Sequence, residues 1–220
     1  ELQSQVPSLA LGTGSATPLE LTVAFAPFAN GGFAVHPRAI AAVIDQRGRT
    51  VFQEEVKRVP VLSAAAAWQM LSMLREVVDT GTGTGARVSG VPAGGKTGTT
   101  DDYHDAWFVG FVPGLAAGVW VGFDRPAAIG EAAYAARIAV PIWADFVRRA
   151  AKLRPPGTFT PPPDVDAVEL CSVSHAVPTD RCPTYEEYFK KGDILPEARC
   201  TLHGGSPVTD VLVINPVESL

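Results

Sequence analysis

The stretch Gly94-Gly95-Lys96-Thr97-Gly98-Thr99-Thr100 sets an ammonium group and several hydroxyls side by side, with glycines around them. Read as a strand, it turns Lys96 and Gly98 to one face and Thr97 and Thr99 to the other. Glycine lets a second backbone or a ligand approach closely. An edge strand of this kind can pair with an extended peptide.

Two other clusters contain reactive groups. Asp101-Asp102-Tyr103-His104-Asp105 is dense in titratable side chains. Between two predicted strands it reads as a solvated turn, with Asp105 structural and His104 no general base. Cys171, Cys182, Cys200 and His203 all fall late in the chain. The Cys200-Thr201-Leu202-His203 spacing allows a Cys3His zinc site. The same cysteines also allow one disulfide and one remaining thiol. Residues 80–85 lack the lysine and the strict spacing of a phosphate loop. Arg87 is read as a loop cation, in preference to an anchor for an anionic substrate.

Local signals position these groups. Thr17-Pro18-Leu19-Glu20 is a capping box with proline at the first helical position. Leu21, Ala24, Phe25 and Phe28 follow at helical spacing, and Asn30-Gly31-Gly32 supplies the stop. Residues 33–44 and 50–56 are predicted strands around the turn Asp45-Gln46-Arg47-Gly48. Ser63 caps a predicted helix that runs to Val78. Residues 93–100 form a predicted strand, and residues 106–112 and 118–123 a hairpin about Pro113-Gly114. Pro141 is predicted to open a last helix with Ile142, Phe146 and Ala150 on its core face. Trp107, Phe108, Trp120 and Trp143 are expected in the core. Prolines at 155, 156 and 161–163 mark an extended linker. The expected organisation is a domain over 1–152, a linker over 153–164 and a small cysteine-containing segment over 165–220.

Composition narrows the classes. With 46% hydrophobic and 19% charged residues the chain has the make-up of a globular protein. A net charge of -5 argues against a nucleic-acid partner. No apolar run approaches the roughly 18 residues of a membrane span. Residues 1–6 have neither an initiator methionine nor a targeting pattern, so Glu1 is read as an internal cut.

Beyond the tripeptide Lys96-Thr97-Gly98, the chain resembles the serine penicillin-recognising enzymes, and among them the class A penicillin-binding proteins. The resemblance rests on several segments in the family's order. These are Pro7-Ser8-Leu9-Ala10-Leu11-Gly12, Thr17-Pro18-Leu19-Glu20, Phe28-Ala29-Asn30-Gly31-Gly32, residues 94–100, Asp105-Ala106-Trp107-Phe108-Val109-Gly110-Phe111, Val119-Trp120-Val121-Gly122 and Pro141-Ile142-Trp143. It implies an α/β fold, a mainly antiparallel sheet flanked by helices, incomplete in this chain. It implies a peptidoglycan D,D-transpeptidase that β-lactams trap, working outside the cytoplasmic membrane without a cofactor. Lys96 would supply charge near the active serine. The hydroxyls of Thr97 and Thr99 would bind the substrate carboxylate, Gly98 would keep the strand open, and the Thr99 N–H would be an oxyanion donor.

The family also needs S-x-x-K and S-x-N. No serine in this chain has Lys three positions on or Asn two positions on. Both motifs are therefore expected upstream, with the membrane anchor, and the chain alone is expected to be inactive. Its partners would be that upstream half, the stem peptide and β-lactams. The alternatives are a related D,D-carboxypeptidase or β-lactamase, and a non-catalytic wall- or antibiotic-binding module. The extracytoplasmic setting implied by the resemblance favours a disulfide over zinc at the late cysteines.

Overall fold

The computed structural model describes residue 12, residues 14–206 and residues 213–214. Residues 7–11 of the resemblance lie outside that range. Helix α1, Pro18–Ala29, begins at the capping box: Thr17 Oγ1 accepts from the Glu20 amide at 3.2 Å, and Glu20 Oε2 accepts from the Thr17 amide at 2.8 Å. It ends where the Gly32 N–H reaches back to the Pro27 carbonyl at 2.8 Å, with Gly31 at φ +80°. Only glycine adopts that backbone freely.

Strands β1, Ala42–Ile44, and β2, Thr50–Gln53, form a short exposed hairpin. The expected strand over 33–44 is thus mostly lost. Asn30 holds both the N–H and the C=O of Phe33 with its side-chain amide, and Pro37 has no N–H for a ladder. Helix α2, Ala64–Asp79, starts at Ser63, whose hydroxyl accepts from the Ala66 amide at 3.1 Å.

The central sheet runs β3-β4-β5, all antiparallel, from Gly94–Thr99, Asp105–Val112 and Leu115–Gly122. Pro113 and Gly114 make the tight β4–β5 turn, with Gly114 at φ +79°. Strand β4 is covered on both faces, which explains its nearly unbroken apolar sequence. One face sends Phe111 among Ala65, Trp68, Leu71 and Leu74 of α2. The other sends Phe108 against Trp143 of α3, ring centres 5.1 Å apart.

Helix α3 spans Ala135–Leu153, so Pro141 lies inside it and does not open it. Its core face is Ala139, Val140, Trp143 and Val147. The expected face of Ile142 and Phe146 is exposed instead, at 51% and 48%. Trp143 decides the orientation: its ring fills the space over Phe108 and its indole N–H donates to the Ala117 carbonyl at 3.0 Å.

Residues 155–164 hold no helix or strand, yet Phe159 packs on Phe111 at 6.0 Å between ring centres. A second sheet follows in the order β7-β6-β8, from Val165–Cys171 (β6), Thr184–Lys190 (β7) and Val213–Ile214 (β8). It docks on α2 through Tyr188, whose ring meets Trp68 edge-on at 5.4 Å and whose carbonyl accepts from Gln69 at 3.0 Å. No helix among the described residues is long and apolar enough to cross a membrane.

Candidate active site

Strand β3 pairs with β4 along one edge only, and its other edge is open among the described residues. The Thr100 N–H donates to the Asp105 carbonyl, so amides in step with it, those of Gly98 and Lys96, face β4. The N–H and C=O groups of Thr97 and Thr99 therefore face the open edge. The Thr97 carbonyl on that edge accepts from Lys96 Nζ at 2.8 Å, which folds the exposed ammonium across the strand's outer rim.

The threonine hydroxyls lie on the opposite face from the Lys96 side chain. Thr97 Oγ1 stands 2.8 Å from Thr82 Oγ1, so one hydroxyl donates to the other and one proton stays available. Thr99 Oγ1 accepts from the Ala135 N–H, the first amide of α3, at 3.0 Å. Tyr134, the N-cap residue of α3, makes no side-chain cap bond, so Thr99 performs that task from another element. Accepting this bond leaves the Thr99 O–H proton free to donate outward. Lys96, Thr97, Gly98 and Thr99 thus form one rim with outward backbone donors, two anchored hydroxyls and a cation.

Close packing under the rim fixes its shape. A Cβ on Gly95 would stand 2.6 Å from Phe108 Cζ and 2.8 Å from the Val109 carbonyl oxygen. A Cβ on Gly98 would meet only Trp107, at 3.3 Å from its Cβ. The glycine before the lysine is therefore demanded by packing, and Gly98 leaves the surface at the rim low.

The turn over residues 101–105 closes the far end. Tyr103 adopts φ +54°, stacks edge-on with Tyr134 at 5.0 Å and donates to its hydroxyl at 2.8 Å. That bond to Tyr134 holds the Tyr103 phenol above its ordinary pKa. Asp105 Oδ1 accepts from the Trp120 indole at 2.8 Å, a structural bond between β4 and β5. Trp107 and Trp120 are half-buried, whereas Phe108 and Trp143 are fully buried. Arg87 donates to the Thr84 carbonyl at 3.2 Å. Two contributors to the rim have no motif in the sequence: Thr82, which steadies Thr97, and the α3 N-terminus, which steadies Thr99.

Cys171, Cys182, Cys200 and His203 converge far from this rim along the chain, with their donor atoms within 4.8 Å of one another. No two of the three cysteines are joined. A disulfide would have joined two of them and left the third sulfur and the imidazole without a role. The fold instead groups all four. The neighbouring Ser174 and His203 side chains pull the Cys200 thiol down to about 5. Burial pushes the Cys182 thiol up.

The Penicillin binding protein transpeptidase domain family matches residues 1–145. The chain is 37% identical over 185 residues to Penicillin-binding protein 1A of Aquifex aeolicus (strain VF5), a match covering 84% of this chain and 26% of that protein. It is 42% identical over 154 residues to Penicillin-binding protein 1A of Neisseria lactamica, covering 67% and 19%. Among solved structures, Penicillin-Binding Protein 1A from Haemophilus influenzae superposes with a TM-score of 0.72 at 26% identity, over 84% of this chain and 33% of that one. The chain thus spans about a quarter or less of the length of these two curated relatives.

Proposed function

Because the chain belongs to the penicillin-binding protein transpeptidase family, we propose that it forms one wall of a D,D-transpeptidase site whose nucleophilic serine lies elsewhere in a longer protein. The open edge of β3 supports this reading most directly. An extended stem peptide ending in D-Ala-D-Ala can lie along that edge and bond to the outward N–H and C=O groups of Thr97 and Thr99. Its terminal carboxylate takes the free hydroxyl protons of Thr97 and Thr99, with Lys96 supplying positive charge nearby.

The serine oxygen then attacks the penultimate carbonyl. The developing oxyanion accepts from the Thr99 N–H, an amide already aimed outward before the reaction starts. The C–N bond breaks, D-alanine leaves with a proton, and an ester links the peptide to the serine. An amine of a second stem peptide attacks that ester. A new amide forms, and the serine recovers its proton. A β-lactam enters by the same route, since its carboxylate and strained amide match the same two anchors.

The protein would work outside the cytoplasmic membrane, held by an anchor on other sequence. Residues 1–152 would complete their sheet against strands from that sequence, with 153–164 as linker. The chain alone would be inactive, because no serine here has the S-x-x-K setting.

Fluorescent penicillin tests this. The full-length protein should be labelled on a serine outside residues 1–220, and the isolated chain should stay unlabelled. Thr97→Val in the full-length protein should slow labelling roughly 10–100-fold, the loss of one hydrogen bond to a charged group. Labelling of any serine within the chain, or full-rate labelling of the valine variant, would overturn the reading.

A further inference from the structure

The cysteine cluster is the part of the molecule that the transpeptidase reading leaves unused. Cys171 ends β6, Cys182 sits in the loop before β7, and Cys200 and His203 flank a two-residue knuckle. Cys171 and Cys200 are buried, and Cys182 and His203 are half-buried. His203 Nδ1 is the apex of the group. It lies 3.3 Å from Cys200 Sγ, 3.5 Å from Cys171 Sγ and 3.6 Å from Cys182 Sγ.

These separations match the edges of a coordination tetrahedron. With Zn–S about 2.3 Å and Zn–N about 2.0–2.1 Å, a regular tetrahedron has an S···N edge of about 3.6 Å and an S···S edge of about 3.8 Å. One imidazole nitrogen nearly equidistant from three sulfurs is what such an ion requires. A disulfide explains neither the third sulfur nor the imidazole.

The surroundings are built for thiolate. The Thr179 N–H donates to Cys182 Sγ at 3.2 Å, and the Thr179 hydroxyl, itself buried, donates to the Gly204 carbonyl at 2.7 Å. That bond ties the turn after His203 to the loop that holds Cys182. Amides directed at sulfur favour the anion, as the groups behind metal ligands commonly do.

We propose that Cys171, Cys182, Cys200 and His203 bind one structural zinc ion that fastens three loops of the C-terminal segment. Three soft sulfurs and one imidazole in a tetrahedron select zinc over harder cations. Four protein ligands close the site, so it has no open position for catalysis. The metal also answers a size problem. Among the described residues, the segment's own core is little more than Val168, Leu170 and Val177, since Val165 packs with α2. Small units with so few core side chains often gain stability from a metal or disulfides. Zinc would keep the thiols reduced where free cysteines otherwise oxidise.

The test uses the full-length protein, purified without chelator or added metal. Elemental analysis should find about one zinc per chain, and Cys200→Ser and His203→Ala should each reduce it severalfold. Replacement by cobalt(II) should give the intense visible bands of a tetrahedral site and thiolate charge-transfer absorption, which needs no variant to fold. Thiols should resist a disulfide reagent until chelator is added. Protein free of zinc, with a mapped disulfide between any two of the three cysteines, would overturn the proposal. So would an octahedral, thiolate-free cobalt spectrum. None of these readouts depends on a penicillin reaction, so failure here is distinct from failure of the transpeptidase reading.

Discussion

The two reactive regions of this chain are built on opposite plans. The rim of β3 is open: half of its backbone donors and acceptors point away from the sheet, and its cation is in solvent. The cysteine cluster is closed: four donor atoms face one another within 4.8 Å, with the Thr179 amide donating to one of them. In the proposed function, the open edge would pair with a peptide and work with a serine from other sequence. A closed cluster is complete within residues 171–203.

The sharpest way to break the open side is from behind. Gly95 lies under Phe108, with the Val109 carbonyl oxygen 2.8 Å from where a Cβ would be. Gly95→Val should overpack this layer and cost about 3 kcal/mol of stability. It should also displace the rim enough to abolish penicillin labelling. Thermal unfolding and labelling of the full-length variant measure both losses. Unchanged melting would mean that β3 does not sit on Phe108 as described. Elemental analysis of the same variant tests the contrast itself: zinc should persist in the protein that remains folded.

Thr99 offers a smaller and more discriminating change, because it serves the rim and α3 together. Its hydroxyl accepts from the first amide of α3, where Tyr134 provides no side-chain cap. Thr99→Val should cost about 1 kcal/mol, the ordinary loss of a helix cap. It should also slow labelling by penicillin. Thr99→Ser, which keeps the hydroxyl, should restore both. A valine variant with slower labelling and no loss of stability would show that the hydroxyl serves the ligand alone.

What could be read from the sequence was mostly what is decided locally. The capping box at Thr17 and Glu20, the Ser63 cap and the Pro113-Gly114 turn each lie within a few residues of the groups they satisfy, and each stands as expected. The start of α3 was misplaced because its cap comes from Thr99, 36 positions earlier. The core face of α3 was misassigned for a related reason. Ile142, Phe146 and Ala150 have helical spacing, but the position of Phe108 on β4 selects Trp143 and its neighbours. At the rim, the lysine motif could be read and the support from Thr82 could not, since a hydroxyl pair 15 residues apart leaves no periodic trace. At the cysteines the ligand set was visible in the spacing. The preference for a disulfide came from the cellular compartment, whereas the four donor atoms lie within 4.8 Å of one another.

The smallest expected effect concerns Asp105, the one member of the 101–105 cluster bound into the sheet. Its carboxylate accepts from the Trp120 indole at 2.8 Å, and the two half-buried tryptophans beside it sit 6.1 Å apart between ring centres. An amide oxygen accepts the same bond as a carboxylate, so Asp105→Asn should shift stability by less than about 0.5 kcal/mol. The pH profile of penicillin labelling should stay the same as well. Asp105→Ala removes the acceptor and leaves the indole N–H unpaired, so it should cost about 1 kcal/mol. The pair of variants separates a joint between strands from a proton carrier. If the asparagine variant lost labelling while keeping its stability, the carboxylate would be taking part in the chemistry. The open rim would then extend past Thr99 into the turn, and the boundary drawn here between the reactive edge and its scaffold would move with it.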